Sequence, residues 1–148
     1  MQPLTAWKCD ACLESITDVK DGHVVWRVER EPYRSYDFKI IHRGRCDPGQ
    51  AFVNSYALEV FLGPEGLTML LSWVANAGIM RPERQSIREV DNLEEWADLV
   101  RRVQVPWYEE ARDRLRDSDI QEWLSDGNEY YPYLPEVLEK IANGTLGK

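Results

Sequence analysis

The sequence predicts an α+β protein in which an N-terminal antiparallel β-hairpin module packs on a C-terminal helical part. Two runs with strand patterning occupy the first 46 residues, and apolar residues at helical spacing dominate the rest. All cysteines and histidines also fall within those 46 residues. We therefore expect residues 1–54 to form the hairpin module and residues 55–148 the helical part, joined by one continuous core as a single domain.

Composition limits the classes of function. The chain has 148 residues, 43% of them hydrophobic and 11% aromatic, which is enough for a buried core. Its net charge of −8 argues against wrapping bulk nucleic acid through the phosphates. No apolar run approaches the roughly 20 residues of a membrane span, and the N-terminus lacks the layout of a secretory signal. We expect an acidic cytoplasmic protein without a membrane partner.

The first elements are two strands. Residues 23–30 are rich in β-branched and aromatic side chains and follow an Asp21-Gly22 turn signal. Residues 35–43 alternate, and this pattern places four side chains on one face, namely Tyr36, Phe38, Ile40 and His42. Glu31-Pro32 lies between the runs and predicts a loop. The two strands are predicted to form an antiparallel hairpin.

Helical patterning begins after the Asp47-Pro48-Gly49 turn. Ser55 is predicted to cap a short helix that continues through Leu62 and ends at Gly63. Pro64 then suits the first turn of a second helix, which we expect to be the central core helix because it is apolar around most of its circumference. The apolar residues at helical spacing there are Leu67, Leu70, Leu71 and Val74.

Residues 78–90 are polar and predict a connector. A helix is then predicted from Asn92, with Asp98 and Arg102 facing water as an i,i+4 ion pair. Further helices are predicted after Pro106, from Ser118 and from Pro135.

Three cysteines and one histidine have the spacing of metal ligands. Cys9-Asp10-Ala11-Cys12 is a CxxC pair, and His42 with Cys46 forms an HxxxC pair 30 positions later. Three thiolates and one imidazole complete a tetrahedral zinc site with no open position, so the predicted Zn²⁺ is structural and staples the hairpin module. His23 remains an alternative to His42 as the fourth ligand, and a CxxC redox pair remains an alternative to metal binding.

The charge of this site predicts basic neighbours. Zinc with three thiolates carries a net charge of about −1, because three thiolates outweigh the divalent cation. Lys8, Arg43 and Arg45 flank the predicted ligands and are expected to offset that charge. An odd number of cysteines also disfavours a disulfide framework.

The order of knuckle, hairpin, second ligand pair and helix resembles the treble-clef and zinc-ribbon class of small zinc modules. The resemblance covers residues 7–62 only. Cys9 and Cys12 match the first knuckle, and His42 with Cys46 takes the place of the second. The resemblance implies a zinc-finger-like module.

The sequence favours a binding protein over an enzyme. It contains no GxSxG, P-loop, HExxH or dinucleotide-binding motif. We therefore expect a non-enzymatic zinc-binding protein that serves as a protein-protein interaction or adaptor module. The candidate contact surfaces are the loop with Tyr130, Tyr131 and Tyr133 and the acidic helical face, although that loop also fits simple packing across helices. The acidic helical face consists of Glu94, Glu95, Asp98, Glu109, Glu110, Asp113, Asp117, Asp119 and Glu122.

Three other functions stay open at this level. The chain could be a nucleic-acid-associated regulator that uses the basic hairpin end at Arg43 and Arg45. It could be an acidic inhibitor that mimics nucleic acid, since the helices are rich in carboxylates. An undetected enzyme would show a deep pocket with perturbed titratable groups.

Overall fold

The structure is a computed structural model that describes residues 2–31, 33–50, 52, 54–75 and 89–148. It contains two antiparallel sheets followed by helices, which confirms the α+β class. The strands are β1 (Trp7–Lys8), β2 (Ser15–Ile16), β3 (Gly22–Arg30), β4 (Tyr33–His42) and β5 (Asn54–Ala57). The helices are α1 (Gly63–Ser72), α2 (Leu93–Gln104), α3 (Tyr108–Ala111), α4 (Ser118–Leu124) and α5 (Pro135–Ala142).

Strands β3 and β4 form the predicted hairpin, but a β-bulge changes the faces of β4. Val25 pairs with Lys39 and Arg27 pairs with Tyr36, so two residues of β4 lie opposite Trp26. Asp37 takes up the extra length with a φ of 58°. The expected placement of Tyr36 on the face of Phe38, Ile40 and His42 is therefore wrong, because the bulge moves Tyr36 to the other face.

The outer edge of β4 is covered by three other parts of the chain. At one end Asp10 donates its N–H to the Ile40 carbonyl at 2.8 Å. At the bulge, the Asp37 N–H bonds to the Glu95 carboxylate at 2.7 Å. Near the start of the strand, Ser35 forms a parallel bridge with Val90. These contacts satisfy backbone groups that an open edge would leave for another chain.

The segment that starts at Ser55 is a strand, and the predicted helix there is wrong. Strand β5 pairs antiparallel with β3 from His23 opposite Ala57 to Trp26 opposite Asn54. A 3₁₀ turn at Leu58–Phe61 follows it. Local capping and spacing favoured a helix, but the free edge of β3 offers a ladder that local sequence cannot reveal. Gly63 begins α1 with a φ of 67° rather than ending a helix.

Helix α1 starts with Pro64 in its first turn, as predicted, but it is not the central core helix. Leu70 is fully buried, whereas Leu67 is 38% and Leu71 47% exposed. The main core instead joins the sheets to Leu99 and Val103 of α2. Stacked and edge-on aromatic rings fill one side of this core, and they come from Trp26, Phe38, Tyr56, Phe61 and Trp73.

The later helices start near the predicted positions, but Pro106 does not lie in the first turn of α3, because Trp107 with a φ of 71° separates the two. The Asn92 side chain caps α2 by accepting the N–H groups of Glu94 and Glu95 at 2.8 and 3.3 Å. Helices α3 to α5 enclose a second apolar cluster around Ala111, Leu138 and Ile141. Most of the predicted connector over residues 78–90 lies outside the described residues. In the described ranges, no helix has the length and apolar character needed to cross a bilayer.

Candidate metal centre

The four predicted donors converge in space. One ligand atom from each of Cys9, Cys12, His42 and Cys46 lies within 4.8 Å of the ligand atoms of the other three. Cys9 is fully buried, Cys12 is exposed, and the other two donors are half-buried. The cluster therefore has an apolar inner side and one sulfur open to solvent.

Two tight turns present these donors. The CxxC pair lies between β1 and β2, where Cys9 donates its N–H to the Glu14 carbonyl and accepts the Leu13 N–H, both at 2.9 Å. Leu13 completes this turn with a φ of 68°. His42 is the last residue of β4, and the Cys46 N–H bonds to its carbonyl at 3.3 Å. A CxxC redox pair of the thioredoxin kind would open a helix, whereas this one joins two strands.

The His42 ring is oriented as a metal ligand would be. Its Nε2 lies 3.3 Å from the Ser15 carbonyl oxygen. Because a carbonyl oxygen only accepts, Nε2 carries a proton in this contact, and in the neutral ring the lone pair of Nδ1 then faces the sulfurs. A backbone carbonyl on the second ring nitrogen is the usual outer partner of a metal-bound histidine.

The spacing of the donors fits tetrahedral coordination. Zn–S distances of about 2.3 Å and Zn–N distances of about 2.05 Å at tetrahedral angles put nitrogen and sulfur ligands about 3.6 Å apart. The Nδ1 atom of His42 lies 3.4 Å from the Cys12 sulfur and 3.8 Å from the Cys46 sulfur. The observed distances bracket the ideal value, so the cluster is compatible with a structural zinc site.

Neighbouring groups shift the pKa values of the three thiols in different directions. Burial raises the pKa of the Cys9 thiol, but backbone groups at Cys12, His42 and Ala11 outweigh burial and leave that pKa below its usual range. A backbone hydrogen bond at Glu14, helped by Arg45, lowers the pKa of Cys12. Burial, together with the two neighbouring thiols, raises the pKa of Cys46. Three thiols this close oppose full ionisation, and a divalent cation would remove that opposition.

The three basic residues expected to offset the charge lie in three different environments. The Arg45 guanidinium lies 3.5 Å from the Cys12 sulfur and 2.7 Å from the Glu14 carboxylate, so it stands beside the cluster. The Lys8 ammonium instead pairs with Asp113 at 2.9 Å. Arg43 lines a groove that His23 also lines. Of the three, Arg45 is the one whose contact with a sulfur is direct.

His23 does not join the cluster. Gly22 pairs with His42 across the hairpin, so His23, one residue further, projects from the opposite face of the sheet. There it lines an open groove of about 800 Å³ together with Arg43, Asp47 and Phe52. Burial, aided by the positive charge of Arg43, lowers the pKa of His23. The structure thus brings His42, and not His23, to the three cysteines.

Sequence reasoning missed two residues beside the cluster. Asp10, inside the CxxC pair, accepts a hydrogen bond from Arg102 at 2.7 Å. Arg102 was expected to face water and pair with Asp98, but its side chain is only 4% exposed. Asp98 instead bonds to Tyr108 and Arg112. A lone arginine on a polar helical face gives no signal of burial, since two of its partners, Asp10 and the Lys8 carbonyl, lie more than 90 positions away in the chain.

The candidate contact surfaces are only partly exposed. Tyr130 is 60% exposed, whereas Tyr131 and Tyr133 are half-buried and pack on the second apolar cluster. Some carboxylates expected on the acidic helical face are engaged, since Glu109 pairs with Arg102 and Asp113 with Lys8. That face is therefore not a continuous track of free negative charge.

The chain matches no protein-family model, and neither a curated protein nor a solved structure is significantly similar to it. The fold and the four-donor cluster are consequently the observations from which function can be argued.

Proposed function

We propose that this chain is a non-enzymatic zinc protein in which Cys9, Cys12, His42 and Cys46 hold one structural Zn²⁺. The convergence of these four ligand atoms within 4.8 Å is the observation that carries the proposal. Soft thiolates with an imidazole favour zinc over the hard cations magnesium and calcium. Four protein donors leave no open position, so the ion stabilises structure rather than activating a substrate.

The metal would matter because the strands beside it are short. Strands β1 and β2 contain two residues each, and their ladder has only the pairs Trp7–Ile16 and Lys8–Ser15. A two-stranded ladder of that size is not stable by itself. Zinc would link it to the end of β4 through His42 and Cys46, and the binding free energy would become folding free energy.

Elemental analysis of untagged protein, purified without added metal, tests this role. We expect one equivalent of zinc per chain and its loss in Cys12→Ser, which removes an exposed donor with little change in core volume. Ser15→Ala is the matched control, because it alters a nearby side chain and retains the backbone carbonyl that contacts His42. Protein without bound metal, or iron in place of zinc, would contradict the proposal.

We further propose that the module serves as an interaction or adaptor protein, with a protein partner at the helical end. Two large aromatic side chains support this, since Tyr130 is 60% and Trp123 59% exposed. Exposed aromatic residues are enriched where proteins bind one another. The nucleic-acid alternatives receive less support, because Arg45 is engaged by Glu14 and Cys12 and because four carboxylates of the acidic helical face are ion-paired, namely Asp98, Glu109, Asp113 and Asp117.

Site-specific photo-crosslinking in cells that natively produce the chain tests the partner surface. A photoreactive amino acid at Tyr130 or Trp123 should form a discrete adduct with another protein. The same probe at Glu59, which is exposed before α1, is the control position. Equal crosslinking at all three positions would contradict a partner site at the helical end.

The three free thiols suit a reducing compartment, and we propose the cytoplasm.

A further inference from the structure

A buried arginine connects the CxxC turn to the helices. The Arg102 side chain on α2 is 4% exposed and forms four hydrogen bonds. Its Nη1 donates to Asp10 Oδ2 at 2.7 Å, and its Nε and Nη2 donate to the two Glu109 carboxylate oxygens at 2.8 Å each. Nη2 also donates to the Lys8 carbonyl at 3.0 Å. We call Asp10, Arg102 and Glu109 the Arg102 network.

Asp10 extends the network to the strand that carries His42. Its backbone N–H donates to the Ile40 carbonyl at 2.8 Å. Its Oδ2 accepts the Ile40 N–H at 2.7 Å. The same carboxylate oxygen therefore holds both the end of β4, two residues before His42, and the Arg102 guanidinium. One residue inside the CxxC pair thus sets the position of that pair relative to the second ligand pair.

The residues before Cys9 are attached to the same helices. The Lys8 N–H donates to Glu109 Oε1 at 3.0 Å, and the Trp7 indole N–H donates to the Arg102 carbonyl at 3.0 Å. Trp7 is 1% exposed, so its indole contributes apolar packing as well. Residues 7 to 10 are consequently fixed to α2 and α3 through backbone and side-chain contacts.

The buried charges of this attachment depend on one another. Glu109 and Arg102 side chains are 5% and 4% exposed, so each ion depends on its partner for the solvation that water no longer supplies. If residues 7 to 10 move away, Arg102 loses the Asp10 carboxylate and the Lys8 carbonyl together. The simultaneous loss of two partners of a buried ion favours a discrete undocked arrangement over gradual loosening.

We infer that metal binding and the docking of α2 and α3 are reciprocally coupled through Arg102, which acts as a positioning residue for the CxxC turn. This inference rests on the proposed metal function. A metal ion would fix Cys9 and Cys12, and so hold Asp10 where Arg102 reaches it. By thermodynamic linkage, docking would raise metal affinity by the same factor by which metal favours docking.

The coupling gives the metal site a regulatory role. Loss of the ion would loosen α2 and α3, whose residues also pack against the helical end where the partner surface is proposed. Metal occupancy would therefore control how firmly α2 and α3 are held, although the four-donor cluster lies at the other end of the Arg102 network.

Hydrogen exchange and zinc affinity measured on one set of proteins test the inference. The set contains the wild type, Arg102→Met, Arg102→Lys, Asp10→Asn and Arg101→Met. Arg101→Met is the matched control, since Arg101 is the next residue of α2 and lies over the Tyr133 ring, 3.7 Å from its centroid. Zinc affinity is measured by competition with a chelator, and exchange over residues 93–111 is measured with and without zinc.

We expect removal of zinc from the wild type to increase exchange over residues 93–111. Arg102→Met should lower zinc affinity by up to about 10-fold, the lower end of the effect of removing a direct partner of a metal ligand, because Arg102 acts through Asp10. Arg102→Lys should recover only part of that affinity because an ammonium lacks the guanidinium fork. Asp10→Asn, at a side chain that is 22% exposed, gives the same test should Arg102→Met fail to fold.

The outcomes separate the two proposals. A wild type that binds zinc, shows no change in exchange over residues 93–111 on its removal, and has the same affinity as Asp10→Asn would overturn the coupling alone. Equal losses of affinity in Arg101→Met and Arg102→Met would also overturn it. A wild type that binds no zinc contradicts the proposed function itself.

Discussion

His23 and His42 lie on adjacent, paired strands, yet their side chains point to opposite faces of the sheet. The register places Gly22 opposite His42 and His23 opposite Ile41. Side chains alternate along a strand, so one residue of register decides which histidine meets the cysteines. This relationship selects His42 from two candidates that the sequence left open.

The two histidines provide a matched pair of variants. We expect His42→Ala to lose bound zinc and to melt at a lower temperature, because Nδ1 is one of four donors. His23→Ala should retain one equivalent, since its ring lines the groove on the other face. Metal content by elemental analysis and thermal melting by circular dichroism check this. Equal metal loss in both variants would contradict the assignment.

Leu13 is expected to be an unfavourable residue at its position. It has a φ of 68°, which strains the backbone of a residue with a side chain. Its side chain is 65% exposed, so little apolar burial offsets that strain. Leu13→Gly removes a left-handed backbone strain of about 1–2 kcal/mol. It also adds about 0.5–1 kcal/mol of conformational entropy to the unfolded chain, so we expect the protein to be more stable by about 0.5 kcal/mol. Urea unfolding at fixed zinc concentration measures the change.

Leu67→Gly is the control for that substitution. Leu67 is 38% exposed within α1, where the backbone is helical and glycine costs about 1 kcal/mol. Opposite signs for the two variants are expected. Destabilisation of similar size in both would mean that the CxxC turn does not require a left-handed residue.

Glu110 predicts a dependence of stability on pH. Its Oε2 atom is buried and, within the described ranges, has no hydrogen-bond partner. Burial, with the nearby Glu109 charge, raises the pKa of Glu110 above its usual range. A carboxyl whose folded-state pKa is raised contributes its stability at low pH and loses it as the pH rises through that pKa.

Glu110→Gln should therefore be more stable than the wild type at pH 7, by on the order of 0.5 kcal/mol. The difference should shrink as the pH falls toward the ordinary glutamate pKa of about 4.3. Unfolding free energies at several pH values measure this, with Glu122→Gln on the exposed side of α4 as the control. A difference that grows on acidification would have the wrong sign.

In the tyrosine loop, we expect Tyr133 to contribute to stability and Tyr130 to contribute little. Tyr133 lies 6.2 Å from the Tyr108 ring and carries the Arg101 guanidinium above it. Tyr133→Ala should lower the free energy of unfolding by about 2 kcal/mol, because aromatic and cation–π contacts are lost together. Tyr130→Ala should change it by less than about 0.5 kcal/mol. Equal effects in urea titrations would contradict this division.

The local sequence pattern was sufficient to predict elements that are specified by residues close together in the chain. The β3–β4 hairpin, the Asn92 cap and the starts of α1 and α5 at Pro64 and Pro135 follow from residues within a few positions of one another. The pattern was insufficient at Ser55, where pairing with β3 overrides helical spacing. It was also insufficient at Tyr36, because the β-bulge at Asp37 shifts the side chains that precede it in β4 to the opposite face of the sheet.

The amino-acid sequence by itself determined the α+β class and three thiol donors with a histidine as the fourth, because residue types and their spacing can be taken directly from the chain. Only the tertiary structure decided that His42 rather than His23 faces the thiols, and that Arg102 is buried against the CxxC turn. Both depend on strand register and on contacts between residues far apart in the chain. Those contacts are fixed by the packing of the whole core, which no local pattern encodes.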